Sequence, residues 1–381
     1  MARSKLRLRI DETGGLEVVD PGFDCLSLLR SIDPGYQIRQ ARLPGFSSPR
    51  FLGLREVGCL LPASRLTDEP EEALWIAHRK AMKRLEEGNG ATKGKGEASL
   101  LDLKVEIVKR MLSECQLCGK RCGDDRLHGE LGACLLGTEA IVADHFVQIA
   151  EEPPINPSLM IHLAGCGLKC RFCQQSSLLD PRPVIGENLV PELWAHLCVE
   201  KARSLTFIGG NPDESLYAIL RFLRAAPVDW RLPVVWNCHG YATPETIALL
   251  DGVVDAYVPD FKYGSDACGL RLSGAPEYPA VAGAAISAML TQGVPVIVRI
   301  LVLPANFDCC HLPVLDYLSS VKNENLLVSV RGQYCPDWMI THEDGLLARR
   351  PTLEEIERVQ SLVGKYGLRN ISDDPRDFWK L

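Results

Sequence analysis

From about residue 158 onward the apolar residues of this chain come in short unbroken runs, each closed by a polar or glycine-rich turn. Six recur: "LMIHLAG" (159–165), "SLTFIGG" (204–210), "VVWNCHG" (234–240), "AYVPDFK" (256–262), "VPVIVRILVLP" (294–304) and "NLLVSVRGQ" (325–333). Runs of this length, bounded by turns, read as strands buried on both faces. Stretches such as "ELWAHLCVEKA", "ESLYAILRFLRAA" and "PETIALLDG" lie between them and carry their apolar residues at helical spacing. Alternating β and α units predict a parallel sheet covered by helices, either an incomplete (β/α)6 barrel or an open doubly wound sheet. In both, chemistry collects at the C-terminal ends of the strands. Those ends here hold a cysteine loop, "GGNPDES", "NCHGY", "PDFKY" and "RGQY".

The first part of the chain has a different texture. Residues 68–88, "DEPEEALWIAHRKAMKRLEEG", predict a helix, with proline and acidic residues in its first turn and basic residues later. "GNGATKGKGE" (88–97) reads as a flexible linker. "ASLLDLKVEIVKRMLSE" (98–114) predicts a second helix that runs straight into Cys115. Residues 1–67 suggest a small α/β extension, with alternation in "KLRLRI" followed by a turn at "DETGG", and carry no recognisable chemistry. The expected organisation is therefore an N-terminal extension (1–67), a helical linker region (68–114), a four-cysteine metal-binding module (115–157) and an α/β core (158–381).

Charge and composition exclude some functions. The net charge of −7 argues against a protein-wide basic surface for nucleic acid. No apolar run approaches the ~20 residues of a membrane span. The basic start "MARSKLRLRIDETGG" lacks the apolar core of a signal peptide, so a cytoplasmic location is the default expectation. Fifteen cysteines are many for a reducing compartment, and seven of them fall between residues 115 and 173 in two tight clusters. That clustering favours metal or iron–sulfur binding over disulfides.

"AGCGLKCRFCQQ" (164–175) places Cys166, Cys170 and Cys173 in the loop after the first core strand. Four thiolates would close a four-iron cluster, whereas three leave one iron with an open position. Catalytic zinc sites keep a vacancy by the same logic. "CQLCGKRCGDDRLHGELGAC" supplies Cys115, Cys118, Cys122 and Cys134, a closed set for Zn²⁺ or for a second cluster. Spacing does not choose between these, and a structural metal tying the leading helix to the core is the favoured reading. Cys25, Cys59, Cys198, Cys238, Cys268 and Cys335 read as core or loop thiols, and "CCH" (309–311) is too short for a chelating loop.

"GCGLKCRFCQ" resembles the signature of the radical S-adenosylmethionine enzymes. "EEPPINPSLMIHLAGCGLKCRFCQQ", "TFIGGNPDES" and "GVVDAYVPDFKYGSDA" extend the resemblance to the pyruvate formate-lyase activating enzyme-like proteins, relatives of the glycyl-radical enzyme activases, over residues 115 to about 370. The resemblance implies an incomplete (β/α)6 barrel with a [4Fe-4S] cluster on Cys166, Cys170 and Cys173. The cluster's unique iron would chelate S-adenosylmethionine, and reductive cleavage would yield a 5′-deoxyadenosyl radical that abstracts hydrogen. A one-electron donor, flavodoxin or ferredoxin, is implied as well. The expected substrate is a protein or peptide. Alternatives are radical modification of a small metabolite or cofactor precursor, and a non-catalytic iron–sulfur or zinc scaffold.

The same resemblance assigns expected contacts. Phe172 would lie against the adenine, and Gly209, Gly210 and Asn211 would meet the methionine amino group. Asn237 would stand near the ribose or the methionine portion, and Asp260 and Lys262 would face the cofactor. Arg299, inside an apolar strand, needs a partner, expected to be Asp260 or the methionine carboxylate. Many relatives carry His after this arginine, and Ile300 stands there instead, which removes a possible acid–base group. His239 is either a proton carrier or a satisfied structural group. Gln333 and Tyr334 are expected at the substrate mouth.

Overall fold

The structure, a computed structural model, describes residues 48–371 except 89, 91, 150, 153, 198, 200 and 201, together with two short strands near the N-terminus. Those strands, β1 (Leu8–Ile10) and β2 (Leu16–Val18), pair antiparallel, as the alternation of "KLRLRI" anticipates. The turn "DETGG" between them, Cys25 and Cys198 lie outside the described residues.

Helix α1 (Arg50–Glu56) leads into strand β3 (Gly58–Pro62), helix α2 (Glu71–Glu86), strand β4 (Glu97–Ser99) and helix α3 (Leu100–Met111). Helix α3 starts where a capping box forms: Ser99 Oγ accepts from the Asp102 amide, and the Asp102 carboxylate accepts from the Ser99 amide, both at 3.1 Å. Its Leu100, Leu101, Leu103, Ile107 and Val108 are fully buried in the core shared with the sheet. The glycine-rich stretch expected to be a linker is instead a return path. Its Glu97 carboxylate accepts from the amides of Leu60 and Gly94, and β4 pairs antiparallel with β3. A glutamate that gathers backbone amides outweighs the flexibility that glycine composition suggests.

All six apolar runs are parallel strands. They are joined by β5 (Ile141–Gln148), which lies inside the expected four-cysteine stretch, and by β7 (Glu187–Asn188). The parallel set is β6 (Ser158–Leu163), β8 (Ser204–Gly209), β9 (Val234–Cys238), β10 (Ala256–Pro259), β11 (Val296–Leu301) and β12 (Leu326–Arg331). Across the eight-stranded sheet the order is β12-β11-β10-β9-β8-β6-β5-β7. The parallel strands follow one another in chain order without the reversal that marks a doubly wound sheet, so this is a partial barrel. Strand β5 runs antiparallel along the free edge of β6, and among the described residues β6 and β12 do not pair.

Helices α4 (Leu216–Arg224), α5 (Pro244–Leu250), α6 (Asp266–Ser273), α7 (Tyr278–Leu290), α8 (Leu312–Val321) and α9 (Leu353–Lys365) complete the described set. Of the predicted helix after Cys173, the described residues show a 3₁₀ turn at Pro191–Ala195, and residues 198, 200 and 201 of that stretch lie outside the described residues. Among the described residues no helix is long and apolar enough to cross a membrane.

Candidate active site

A cavity of about 220 Å³ opens at the C-terminal ends of the parallel strands. Each strand of that set contributes to its wall. Cys166, Cys170, Phe172 and Cys173 follow β6, and Gly209, Gly210 and Asn211 close β8. Asn237 and His239 come from the end of β9, Asp260 and Lys262 follow β10, Arg299 lies on β11, and Gln333 and Tyr334 follow β12. Residues as distant in the chain as Cys166 and Tyr334, 168 positions apart, thus meet around one space, because parallel strands in sequential order bring all their C-terminal ends to one side.

The cysteine loop is pinned from several directions. Ser273, the last residue of α6, directs its hydroxyl at Cys170 Sγ (2.9 Å) and is itself 2.6 Å from the Tyr263 hydroxyl. Arg171 makes a two-pronged bond to Asp344 (2.8 and 3.1 Å), and its carbonyl accepts from the Met339 amide. The ring of Phe172 stands edge-on to Tyr334 (5.5 Å between centroids) and Tyr263 (6.4 Å). Burial pushes the Cys166 thiol well up and the Cys173 thiol to about 11, so loading this loop with metal releases protons.

The strand-end glycines have a backbone reason. A Cβ on Gly210 would sit 2.2 Å from the Gly165 carbonyl oxygen, and one on Gly209 (φ +111°) 2.3 Å from the Leu163 oxygen. The glycine at position 210 is required by the cysteine loop's own backbone, which fills the space a side chain would take. Turn and loop cross so closely that only glycine fits.

Asn211 also has partners within the protein. Its Nδ2 donates to Asp213 Oδ2 (3.0 Å) and to Glu214, and its Oδ1 accepts from the His239 amide (3.0 Å). Glu214 is buried, and its Oε1 accepts from the Gly167 amide, inside the cysteine loop, at 3.1 Å. His239 Nδ1 accepts from the Tyr241 amide (3.1 Å), which leaves Nε2 to donate to Glu214 Oε1 (3.1 Å). With both ring nitrogens engaged, His239 is a satisfied structural group. Burial raises the Asp213 carboxyl. In Glu214 burial acts the same way but is outweighed by His239 and by hydrogen bonds, and the group is held low. Asp213 and Glu214 escaped the sequence reading, although both stand in "GGNPDES".

Lys262 donates to Asp260, as two residues on one side of an extended segment can. Burial opposes the lysine's charge, but Asp260 and Cys170 hold its pKa well above the ordinary value. Arg299 differs from expectation. Its partners are Glu151 and Glu152, on the loop between β5 and β6, with Nε 2.7 Å from Glu152 Oε1. Arg331 joins the same carboxylate at 3.0 Å. The two guanidiniums overcome burial and hold Glu152 well below the carboxylate range, while burial raises Glu151. The carboxylates were present in the quoted "EEPP", but their reach across the barrel is a property of the fold. Ile300 is buried away from the cavity that Arg299 and Leu301 line, so a histidine there would not face it.

Two further cavity residues carry information. His162 on β6 lines the space, and burial, partly countered by Asp144, lowers its pKa to about 4. Asn237 is 7% exposed, and its Nδ2 has no hydrogen-bond partner. A buried amide of this kind, aimed at a cavity, calls for an acceptor from a ligand.

The four-cysteine segment packs beside this site. Arg126 is its centre: the guanidinium donates to the carbonyls of Gly137 (2.6 Å) and Glu214 (2.8 Å) and to Cys115 Sγ (3.5 Å). A hydrogen bond from Cys122, with help from Arg126, lowers the Cys115 thiol to about 6 despite burial. A Cβ on Gly132 would meet Arg126 Cδ at 3.2 Å, Cys134 Sγ at 3.4 Å and Cys122 Sγ at 3.6 Å, so this glycine adjoins both sulfurs and the arginine. Cys118 bridges to Ala242, and its Sγ lies 3.5 Å from where a Cβ on Gly167 would be. The segment is therefore docked on the loop after β9 and on the cysteine loop itself, as well as following the leading helix.

The Radical SAM superfamily profile matches residues 160–318. "Uncharacterized protein MJ0674" of Methanocaldococcus jannaschii is 36% identical over 313 residues, spanning 79% of this chain and 89% of that protein. Among solved structures, Streptococcus suis SuiB bound to S-adenosylmethionine aligns with 13% identity and a TM-score of 0.38, over 54% of this chain and 47% of that one. SuiB bound to precursor peptide SuiA aligns with 11% identity and a TM-score of 0.41, over 78% of this chain and 62% of that one. The chain thus spans less than two thirds of SuiB.

Proposed function

This chain belongs to the radical SAM superfamily, and from that premise we propose that it is an oxidoreductase acting on a protein or peptide in the manner of a glycyl-radical enzyme activase. Superfamily membership implies a [4Fe-4S] cluster and S-adenosylmethionine, and the residues present suit both. Cys166, Cys170 and Cys173 offer three thiolates on one loop and leave an iron open, and the unpartnered amide of Asn237 faces the same cavity. That juxtaposition carries the proposal. When bound, the pair supplies one-electron cleavage of the sulfonium and a 5′-deoxyadenosyl radical, with the electron coming from a flavodoxin or ferredoxin.

The chain's own residues then have positioning roles. Phe172 provides an aromatic wall for the adenine. Asn237 donates to an acceptor on the ribose or methionine portion. Lys262, kept charged by Asp260, and Arg299, braced by Glu151 and Glu152, present paired charges to the cavity. Gly209 and Gly210 let the β8 turn lie flush on the cysteine loop. The activase-like substrate class rests on the "EEPPINP", "TFIGGNPDES" and "PDFKYGSDA" resemblances. It is supported by an apolar rim, where Trp338, Met339 and Leu346 are 45–53% exposed on the segment that latches Arg171. Cys115, Cys118, Cys122 and Cys134 are proposed as a second metal site, for zinc or an iron–sulfur cluster.

The test is anaerobic reconstitution with iron and sulfide, reduction, and chromatographic detection of 5′-deoxyadenosine. A cluster-loaded protein that leaves S-adenosylmethionine intact overturns the enzymatic reading and leaves the scaffold. Deuterium transfer from labelled peptides into 5′-deoxyadenosine supports the substrate class, and transfer only from small metabolites overturns it.

A further inference from the structure

Three cysteines that looked unrelated in the sequence meet in space. Cys268 sits in the first turn of α6, where Ser265 caps the helix by accepting the Cys268 amide. Cys309 and Cys310 sit in a single π turn, Phe307–His311, which leads into α8. Such turns are rare and concentrate at functional positions. The Sγ atoms of Cys268 and Cys309 are 3.6 Å apart and those of Cys309 and Cys310 3.8 Å, and all three lie within 4.8 Å of one another. Among the described residues this is the group of three Cys, His, Asp or Glu donors gathered so tightly.

We propose that Cys268, Cys309 and Cys310 form a binding site for one zinc ion, separate from the radical loop and from the four-cysteine segment. The spacing is the first reason. Zinc holds thiolates at about 2.3 Å in a tetrahedron, which sets neighbouring sulfurs about 3.8 Å apart. A disulfide needs sulfurs at about 2.05 Å, and the three thiols are free. An iron–sulfur cubane spreads its thiolates wider than one ion does, so the closeness favours a single cation.

The surroundings are the second reason. Asn306 is buried, and its Nδ2 points at both Cys268 Sγ (3.8 Å) and Cys310 Sγ (3.6 Å). An amide N–H can only donate, so it favours sulfurs that accept, and thiolates accept best. Cys268 and Cys310 are buried while Cys309 is exposed, which gives an ion a path in from solvent and water a place in the fourth position. The ion would clamp α6 to the segment before α8. At its other end α6 presents Ser273 to Cys170, so the clamp would steady a hydrogen bond to the radical loop.

The test uses the full-length chain, stripped of zinc by a chelator under anaerobic conditions and then titrated with zinc alone. Alkylation of each cysteine is followed by mass spectrometry, which reads this site independently of the other thiols. Zinc is expected to slow modification of Cys309 and Cys310 together. Asn306→Leu is expected to weaken that protection by roughly 10- to 100-fold in zinc concentration, the usual cost of losing an outer hydrogen bond to a ligand. Cys309→Ser, at an exposed position, should expose Cys310 to reagent at all zinc concentrations. Equal alkylation of Cys309 with and without zinc, in protein with an unchanged melting curve, overturns the site. So does a Cys268–Cys309 disulfide that forms as readily in the presence of zinc as in its absence, since that result marks a redox pair.

Discussion

The loop of Cys166, Cys170 and Cys173 and the segment of Cys115, Cys118, Cys122 and Cys134 share one ligand chemistry in opposite surroundings. The loop faces a cavity walled by strand ends, and all three of its cysteines line that space. The four-cysteine segment faces protein. Gly119 N–H donates to the Tyr241 carbonyl, Thr246 Oγ1 donates to the Leu117 carbonyl, and Arg126 fills the interior with hydrogen bonds. Three thiols with room suit a reaction, and four without room suit a structural hold. The two are nevertheless not independent. Glu214 holds Gly167 of the loop through its carboxylate and Arg126 of the segment through its carbonyl, so one buried residue is a wall of both.

The largest expected effect breaks the open side. Replacing Cys166, Cys170 and Cys173 together by Ala should remove about four irons per chain and abolish 5′-deoxyadenosine formation, because among the described residues Cys238 is the one other thiol lining the cavity, and one thiol cannot hold a cluster. Iron retained at the wild-type level, with continued cleavage, would move the reaction to the four-cysteine segment and reverse the comparison.

Gly210→Val comes next. Its branched side chain starts from a Cβ only 2.2 Å from the Gly165 oxygen, so the loop has to move. Iron content and S-adenosylmethionine affinity should therefore fall together in protein that keeps its circular dichroism. Loss of cofactor affinity with full iron would show that the glycine makes space for the ligand alone.

Much of this site was legible in the sequence, for a physical reason. A parallel barrel aligns strand ends, so residues such as Asp260 and Lys262 that follow an apolar run are delivered to one place whatever lies between the runs. Partners contributed from elsewhere were not legible. Arg299 pairs with Glu151 and Glu152 across more than 140 positions, and Cys268 meets Cys309 across 41. Nothing in local pattern encodes those distances. Strand β5 was hidden too, because its half-buried pattern, next to the short edge strand β7, lacks the unbroken apolar run of the inner strands. The expected linker failed for a third reason, since composition is blind to a single carboxylate that gathers amides.

A smaller effect on cleavage is expected from the closed side. Cys115→Ser with Cys118→Ser should lower thermal stability, because Cys115 anchors Arg126 and Cys118 packs by Gly167. Since that packing reaches the loop, cleavage per folded molecule should drop partially, where a purely remote knuckle would leave it unchanged. Elemental analysis of the variant identifies the metal: loss of about one zinc marks a structural ion, and loss of about four irons a second cluster. Unchanged cleavage per loaded protein would separate the two regions and remove Glu214 as a shared wall.

Lys104 allows the stability of the leading helices to be changed without touching either cysteine set. This lysine is fully buried on α3, with Nζ 2.8 Å from His78 Nε2 and 3.3 Å from the Ala248 carbonyl. Burial lowers its pKa to about 7, with Asp251 opposing and Arg50 assisting, and burial together with Lys104 lowers His78 to about 2. Below about pH 7 the folded and unfolded chains both hold the lysine proton, and the folded chain bears a desolvated charge. Between about 7 and 10.5 the unfolded chain keeps that proton while the folded chain releases it, so this group makes stability rise with pH across the window. Lys104→Met removes the charge. The variant's stability relative to wild type should therefore be highest near pH 6 and should decline toward pH 10, a swing of about 1–3 kcal/mol after allowance for relaxation, read from melting curves at each pH. Iron content and cleavage rate at neutral pH should not change. A difference in melting temperature that stays constant across pH would show that Lys104 holds its proton throughout, satisfied by His78 and the Ala248 carbonyl. Altered cleavage would show that the leading helix, and with it any loss seen on removing Cys115 and Cys118, acts on the cavity through helix stability in general instead of through Glu214.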